Sequence, residues 1–201
     1  ARGAPARGAR EGRSDGRTGR TPARRRALAQ HPRQIARVTF EQAATVDAPA
    51  EAVFALTQDY ARRLAWDPFL RTAELVAPAT AAGVGVRAYC VARWGVGMET
   101  EYVTFRPPVG GAPAVAAVRM TRGPWVLARF AGSWRFREVA PGRTRVTFRY
   151  QVWARPRWLG WLLDPVLGAV FRWETGRRLD ALRAAFAGGT AAGYSTTRAG
   201  H

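Results

Sequence analysis

The stretch VTFEQAATVDAPAEAVFALTQDYARRLAWDPF, residues 38–69, decides the fold. Val38, Phe40, Gln42, Ala44 and Val46 share one parity, as along a strand. Asp47-Ala48-Pro49 stops that strand, and an apolar helical pattern follows through Ala50, Val53, Phe54 and Leu56. Pro49 suits the first helical position, where its missing N–H is not needed, and Glu51 lies where the helix dipole favours a carboxylate. A second short turn then delivers the Trp66-Asp67-Pro68-Phe69 corner. Strand, helix and Trp-containing corner in this order predict a sheet wrapped around an apolar interior. No catalytic motif accompanies them, so the interior is where function is expected.

Beyond this stretch, strand patterns alternate with turn residues. The sequence predicts strands over 84–94, 98–105, 114–121, 125–131, 133–139 and 144–153. The turn residues between them include Gly95, Pro107-Pro108, Gly110-Gly111, Gly123-Pro124, Gly132 and Pro141-Gly142. The last strand is the clearest. Val146, Phe148, Tyr150 and Val152 share one face while Arg145, Thr147, Arg149 and Gln151 share the other, as in an antiparallel sheet with one wet face. Trp134 and Phe136 against Arg135 and Arg137 repeat the pattern. In 98–105, Glu99 and Glu101 share parity with Val103 and Phe105, a conflict that a bulge would resolve. Arg155-Pro156 closes the last strand. Asp164 is placed to cap, and Pro165 to start, a long helix to about Phe186, ended by Gly188-Gly189. Its stripe is Leu167, Phe171, Leu179, Leu182 and Phe186, beside Val166, Val170 and Trp173. Arg172, Arg177, Arg178 and Arg183 are expected to lie largely off it.

Composition bounds the function. The chain has 201 residues, enough for one domain with a real core. All 32 basic residues are Arg, which with the abundant Ala and Gly reads as GC-rich codon usage. Residues 1–37 hold eleven Arg against Glu11 and Asp15, so much of the +18 net charge sits where no core can form. This organisation predicts a disordered Arg-rich tail over 1–36, one domain over 37–188 and a flexible tail over 189–201. The basic tail would attract anionic polymers or lipids non-specifically. Cys90 is the only cysteine, and His31 and His201 lie in the two tails. Catalysis by Ser-His-Asp or Cys-His, multi-His metal sites and intrachain disulfides are therefore not expected in the domain, nor is a cofactor. Residues 1–37 contain no apolar signal-peptide core, and the longest apolar run, 158–171, is too short to span a membrane. A cytoplasmic protein is expected.

The order of these elements resembles the SRPBCC superfamily (START-like and birch-pollen-allergen-like proteins), most closely its polyketide cyclase/dehydrase and lipid-transport group. The resemblance rests on Val46-Asp47-Ala48-Pro49-Ala50-Glu51-Ala52-Val53-Phe54, the Trp66–Phe69 corner and Phe105-Arg106-Pro107-Pro108. Gly132-Ser133-Trp134-Arg135-Phe136 and Gly142-Arg143-Thr144-Arg145-Val146-Thr147 complete it. It implies an α+β helix-grip fold: a curved antiparallel sheet around a long C-terminal helix, with two short helices after the first strand and an apolar cavity between sheet and helix. Members bind lipids, sterols, polyketides or quinones, and a minority catalyse cyclisation or dehydration. No catalytic residue maps onto this sequence by motif.

The expected ligand-binding residues are Trp66, Phe69, Trp134, Phe136, Phe148, Tyr150, Leu167 and Phe171, each of which would otherwise simply fill a core. Tyr150 is the best polar candidate, since a buried hydroxyl needs a partner. Glu99, Glu101 and Tyr150 are the acid–base candidates, with Tyr102 and Arg119 nearby. Two carboxylates at i and i+2 share a strand face, though a solvated face paired with Arg is the commoner arrangement. Asp67 reads as a turn or cap residue. The reading is a binder or carrier of a hydrophobic small molecule rather than an enzyme, with a polyketide-type cyclase or dehydratase as the alternative. Two surface alternatives stand beside it. Arg135, Arg137, Arg145 and Arg149 would form a basic sheet face for RNA or the ribosome, but the strand aromatics point away from it. Trp158, Trp161 and Leu162 between Arg155 and Arg157 would touch an anionic membrane surface or lid the cavity.

Overall fold

The computed structural model describes residues 37–155, 160–189, 191 and 193, with the side chains at 37, 160–164 and 167 excepted. The predicted tail over 1–36, Trp158, the side chains of Trp161, Leu162 and Leu167, and most of 189–201 lie outside the described residues.

The first strand, β1 (Arg37–Val46), turns Phe40, Ala44 and Val46 inward, as its alternation predicts. Helix α1 (Ala50–Gln58) begins one residue later than expected. Pro49 keeps an extended backbone and offers its carbonyl to the Val53 N–H at 3.1 Å, so it is the capping residue rather than the first helical one. The single-turn α2 (Arg63–Trp66) delivers the Trp corner. β2 (Leu70–Leu75) was not anticipated. It is an edge strand with a bulge between Leu70 and Thr72, so no clean alternation marks it.

The remaining strands are β3 (Arg87–Ala92), β4 (Gly97–Arg106), β5 (Ala114–Arg122), β6 (Leu127–Ala140) and β7 (Arg143–Ala154). They form one curved seven-stranded antiparallel sheet in the order β1-β7-β6-β5-β4-β3-β2. β6 runs unbroken through Gly132, where two strands were expected. Gly132 pairs with Tyr150 and with Val118 and keeps the strand extended, so it is a gap in the side-chain wall and not a turn. The parity conflict in β4 is resolved by an irregularity between Tyr102 and Thr104, after which Phe105 packs edge-on against Tyr102 at 5.6 Å. In β7 Thr144, Val146, Phe148, Tyr150, Val152 and Ala154 are all buried, as the sequence predicts.

Helix α3 (Gly160–Ala187) lies in the grip of the sheet, packed chiefly on β1 and also on β7 and α2. It starts five residues before the expected Pro165, which sits inside it. Pro165 is the sixth residue, just past the first four whose N–H groups have no intrahelical partner, so it removes one backbone bond and the helix runs through it. Gly168 permits the close approach to β1: a Cβ there would stand 2.9 Å from the Phe40 ring. Gly189, with φ of 75°, ends the helix as predicted. The chain then folds back so that the Ala191 N–H meets the Ala185 carbonyl and Ala191 is buried.

Candidate functional site

Between the inner face of the sheet and α3 lies a cavity of about 220 Å³. One water needs only about 10–15 Å³. The strands line it with alternate inward residues, among them Thr100 and Tyr102 from β4, Ala116 and Val118 from β5, and Phe148 and Tyr150 from β7. Trp134 and Phe130 flank Gly132, where an added Cβ would still stand 3.5 Å from the Phe130 ring. The wall is aromatic and tightly coupled. Ring centroids of Phe148 lie 4.1 Å from Trp134 and 4.3 Å from Tyr150, and Tyr150 is 5.2 Å from Phe171 of α3. At the other end the cavity reaches Trp94 and Val96 in the β3–β4 turn and Pro124 before β6. Trp94 is 55% exposed, so this end opens at the surface.

The closed end is polar and charged. Asp67, fully buried after α2, accepts hydrogen bonds from Arg63 Nε at 2.9 Å and Arg178 Nε at 3.0 Å. It also accepts from the Phe69 N–H at 3.1 Å, the turn role expected of it. Arg178 Nη1 donates to the Tyr150 hydroxyl at 2.9 Å, and Arg63 Nη1 donates to the Thr57 carbonyl. Each guanidinium also stands over aromatic rings: Arg178 over Phe69 at 4.6 Å and Arg63 over Trp66 at 4.9 Å. Burial alone would raise the Asp67 pKa, but the two guanidiniums outweigh it and hold the carboxyl below its usual range. Burial works against the charge of both arginines, and Asp67 overcomes it, so both stay charged.

A neutral polar chain runs beside this cluster. The Tyr102 hydroxyl donates to Gln58 Oε1 at 2.8 Å and lies 3.1 Å from the Tyr60 hydroxyl. Burial pushes the pKa values of Tyr60, Tyr102 and Tyr150 above the usual tyrosine value and keeps all three phenols protonated near neutral pH. Burial likewise raises the Cys90 thiol, which also lines the cavity.

Of the residues singled out from sequence, Phe69, Trp134, Phe148, Tyr150 and Phe171 line the cavity. Trp66 and Phe136 are buried behind the wall, in the main core. Glu99 and Glu101 are on the opposite face of β4 from Thr100 and Tyr102. Glu99 accepts from the Thr121 hydroxyl at 2.8 Å and from Arg87 at 3.1 Å, bonds that lower its pKa, while Glu101 pairs with Arg119 at 3.0 Å. The two carboxylates therefore share a face, but the sheet separates them from the cavity. Arg135, Arg137 and Arg145 are exposed on that same outer side.

Sequence reasoning missed the charged cluster. Arg178 was expected largely off the helix stripe, yet Phe171, Thr175, Arg178 and Leu182 follow one another at helical spacing and are all buried. The apolar residues alone had defined the stripe, and a cation within it was read as surface. Arg63 and Asp67 stand four apart around a single-turn helix, a spacing that would have signalled the ion pair. Among the described residues no three His, Cys, Asp or Glu side chains converge as metal ligands would, and no helix is long and apolar enough to cross a membrane.

Residues 37–187 match the family described as polyketide cyclase/dehydrase and lipid transport. No curated protein matches the chain by sequence. Among solved structures, the ZhuI aromatase/cyclase from Streptomyces sp. R1128 superimposes with a TM-score of 0.63 at 18% identity, over 77% of this chain and 96% of that one. A point mutant of norcoclaurine synthase from Thalictrum flavum, solved with a transition-state analogue, gives 0.57 at 10% identity, over 77% of this chain and 97% of that one. Ara h 8.0201 gives 0.53 at 15%, over 76% and 99%. At such identities these likenesses establish the fold.

Proposed function

The chain belongs to the polyketide cyclase/dehydrase and lipid transport family, and from that premise we propose that its cavity binds a hydrophobic small molecule, which the protein carries rather than transforms. The observation that carries this reading is the wall itself. Aromatic rings from β6, β7 and α3 are held against one another around open space, and small residues at Ala116 and Gly132 keep that space from filling. Burying the apolar body of a ligand there contributes about 25 cal/mol for each Å² removed from water. The one carboxylate at the closed end, Asp67, is held by two guanidiniums, so it is spent as an ion-pair partner and is a poor general base. Native mass spectrometry of protein purified from its own host, with extraction of any bound species, tests the proposal. A co-purifying apolar compound released on denaturation is the expected result. A ligand-free protein that binds no lipid, quinone or polyketide would overturn it.

A second reading, a cyclase or dehydratase acting in the same cavity, is favoured by the Tyr60–Tyr102 pair. Both residues line the cavity and stay protonated, and Arg63 lies close enough to Tyr60 to act on its ionisation. A neutral phenol that exchanges its protein acceptor for substrate donates a proton to a developing enolate oxygen, which a guanidinium then stabilises. Turnover of a polyketide that is lost in a folded Tyr102→Phe variant, with binding retained, would select this reading over carriage.

A further inference from the structure

At the closed end of the cavity two buried guanidiniums, those of Arg63 and Arg178, share one directly paired carboxylate, that of Asp67. Of the nearby groups, Tyr60, Tyr150 and Cys90 are kept protonated by burial, and Glu174 is the one whose charge also acts on Arg178. Glu174, one helical turn before Arg178, makes no ion pair with it within 4 Å among the described residues and does not line the cavity. Arg177 stands over the exposed Trp173 ring instead.

The hydrogen-bond donors are also incomplete. Each guanidinium uses Nε and Nη1 on the protein, and Nη2 of each has no hydrogen-bond partner among the described residues. Neither Nη2 is sealed in the interior: the buried side-chain nitrogens without partners are Trp66 Nε1 and Arg149 Nε. Both side chains line the cavity. A buried charge without a counter-ion costs several kcal/mol, and a guanidinium is built to hold carboxylate oxygens.

We infer that the ligand of this cavity is an amphiphilic acid, an apolar body ending in one carboxylate that meets the free Nη2 groups of Arg63 and Arg178 while the body lies along the aromatic wall toward Trp94. This rests on the proposed binding function and narrows it: neutral lipids and alcohols of the same shape bind more weakly, because they leave those donors without an anionic partner.

Titration calorimetry at pH 7.4 on the full chain, with decanoate, decanol and methyl decanoate as probes, tests it. Decanoate is expected to bind at least tenfold more tightly than either neutral probe. Arg63→Met removes one of the two guanidiniums and should abolish that preference. Circular dichroism establishes that the variant is folded, and if it is not, the wild-type comparison decides alone. Equal binding of all three probes would overturn the inference and leave the cavity as a neutral lipid site. Binding of none of them would overturn the inference, while the binding function is decided separately by the native mass spectrometry.

Discussion

At Asp67 a single side chain holds three elements together. Its carboxylate ties α2 to α3 through Arg63 and Arg178 and fixes the turn into β2 through the Phe69 N–H. Truncating one partner of a buried ion pair leaves uncompensated charge and costs about 3–5 kcal/mol. Asp67→Ala is therefore expected to lose stability on that scale in urea unfolding. Asp47→Ala, which breaks the exposed pair with Arg143, should lose no more than about 1 kcal/mol. The pH dependence follows from the same residue. Because the folded state lowers the Asp67 pKa, the unfolded chain takes up its proton first. Stability is then complete above the unfolded value of about 4 and falls as pH drops through the folded value. At the alkaline end the sign reverses. Tyr60, Tyr102 and Tyr150 have raised folded pKa values, so their contribution is complete below about 10 and is lost as pH rises beyond it. Thermal unfolding followed across pH should fall at both limits, and the acid limb should be shallower in a folded Asp67→Asn variant. An acid limb unchanged by that substitution would mean the buried pairs do not set it.

At the scale of elements, the fold rests on close approach as much as on apolar pattern. A glycine inside a helix usually gives up about 0.5–1 kcal/mol relative to alanine. Gly168→Ala in α3 should fail to recover this, since the new methyl would meet the Phe40 ring at 2.9 Å, and the Gly168→Ala/Phe40→Leu double variant should recover part of it. Stabilisation by the single change would show that α3 can move away from β1. These contacts also mark what the sequence could tell. Period-two alternation in β7 and at the start of β1 was legible because each strand has one buried and one wet face. β2 was not, since an edge strand with a bulge buries little on either side. The wall residues Trp134, Phe148, Tyr150 and Phe171 were legible as inward aromatics. Arg178 was not, because its burial depends on Asp67, a partner far from it in sequence, and hydrophobic periodicity carries no record of charge pairing across elements; the i,i+4 spacing of Arg63 and Asp67 was there to be read.

For the whole molecule, keeping an open cavity means accepting a less completely packed core. Phe148 is buried on β7 yet faces that space, so Phe148→Ala should cost less than the roughly 3–5 kcal/mol usual for a packed phenylalanine. A loss within that range would mean the cavity is closed in solution. Charge is divided along the chain in a way that makes a separate prediction. The Arg-rich stretch over residues 1–36 has almost no periodic apolar pattern, while the family match begins at residue 37. Its ten arginines against two acids repel one another and are drawn to polyanions. The elements and cavity wall of the described residues all come after residue 36. Deleting residues 1–36 is therefore expected to leave the melting temperature and decanoate affinity unchanged while lowering the salt needed to elute the protein from heparin. A large fall in melting temperature would show that the segment packs on the domain, and unchanged heparin retention would move the polyanion-binding surface to the exposed Arg135, Arg137 and Arg145 face of the sheet.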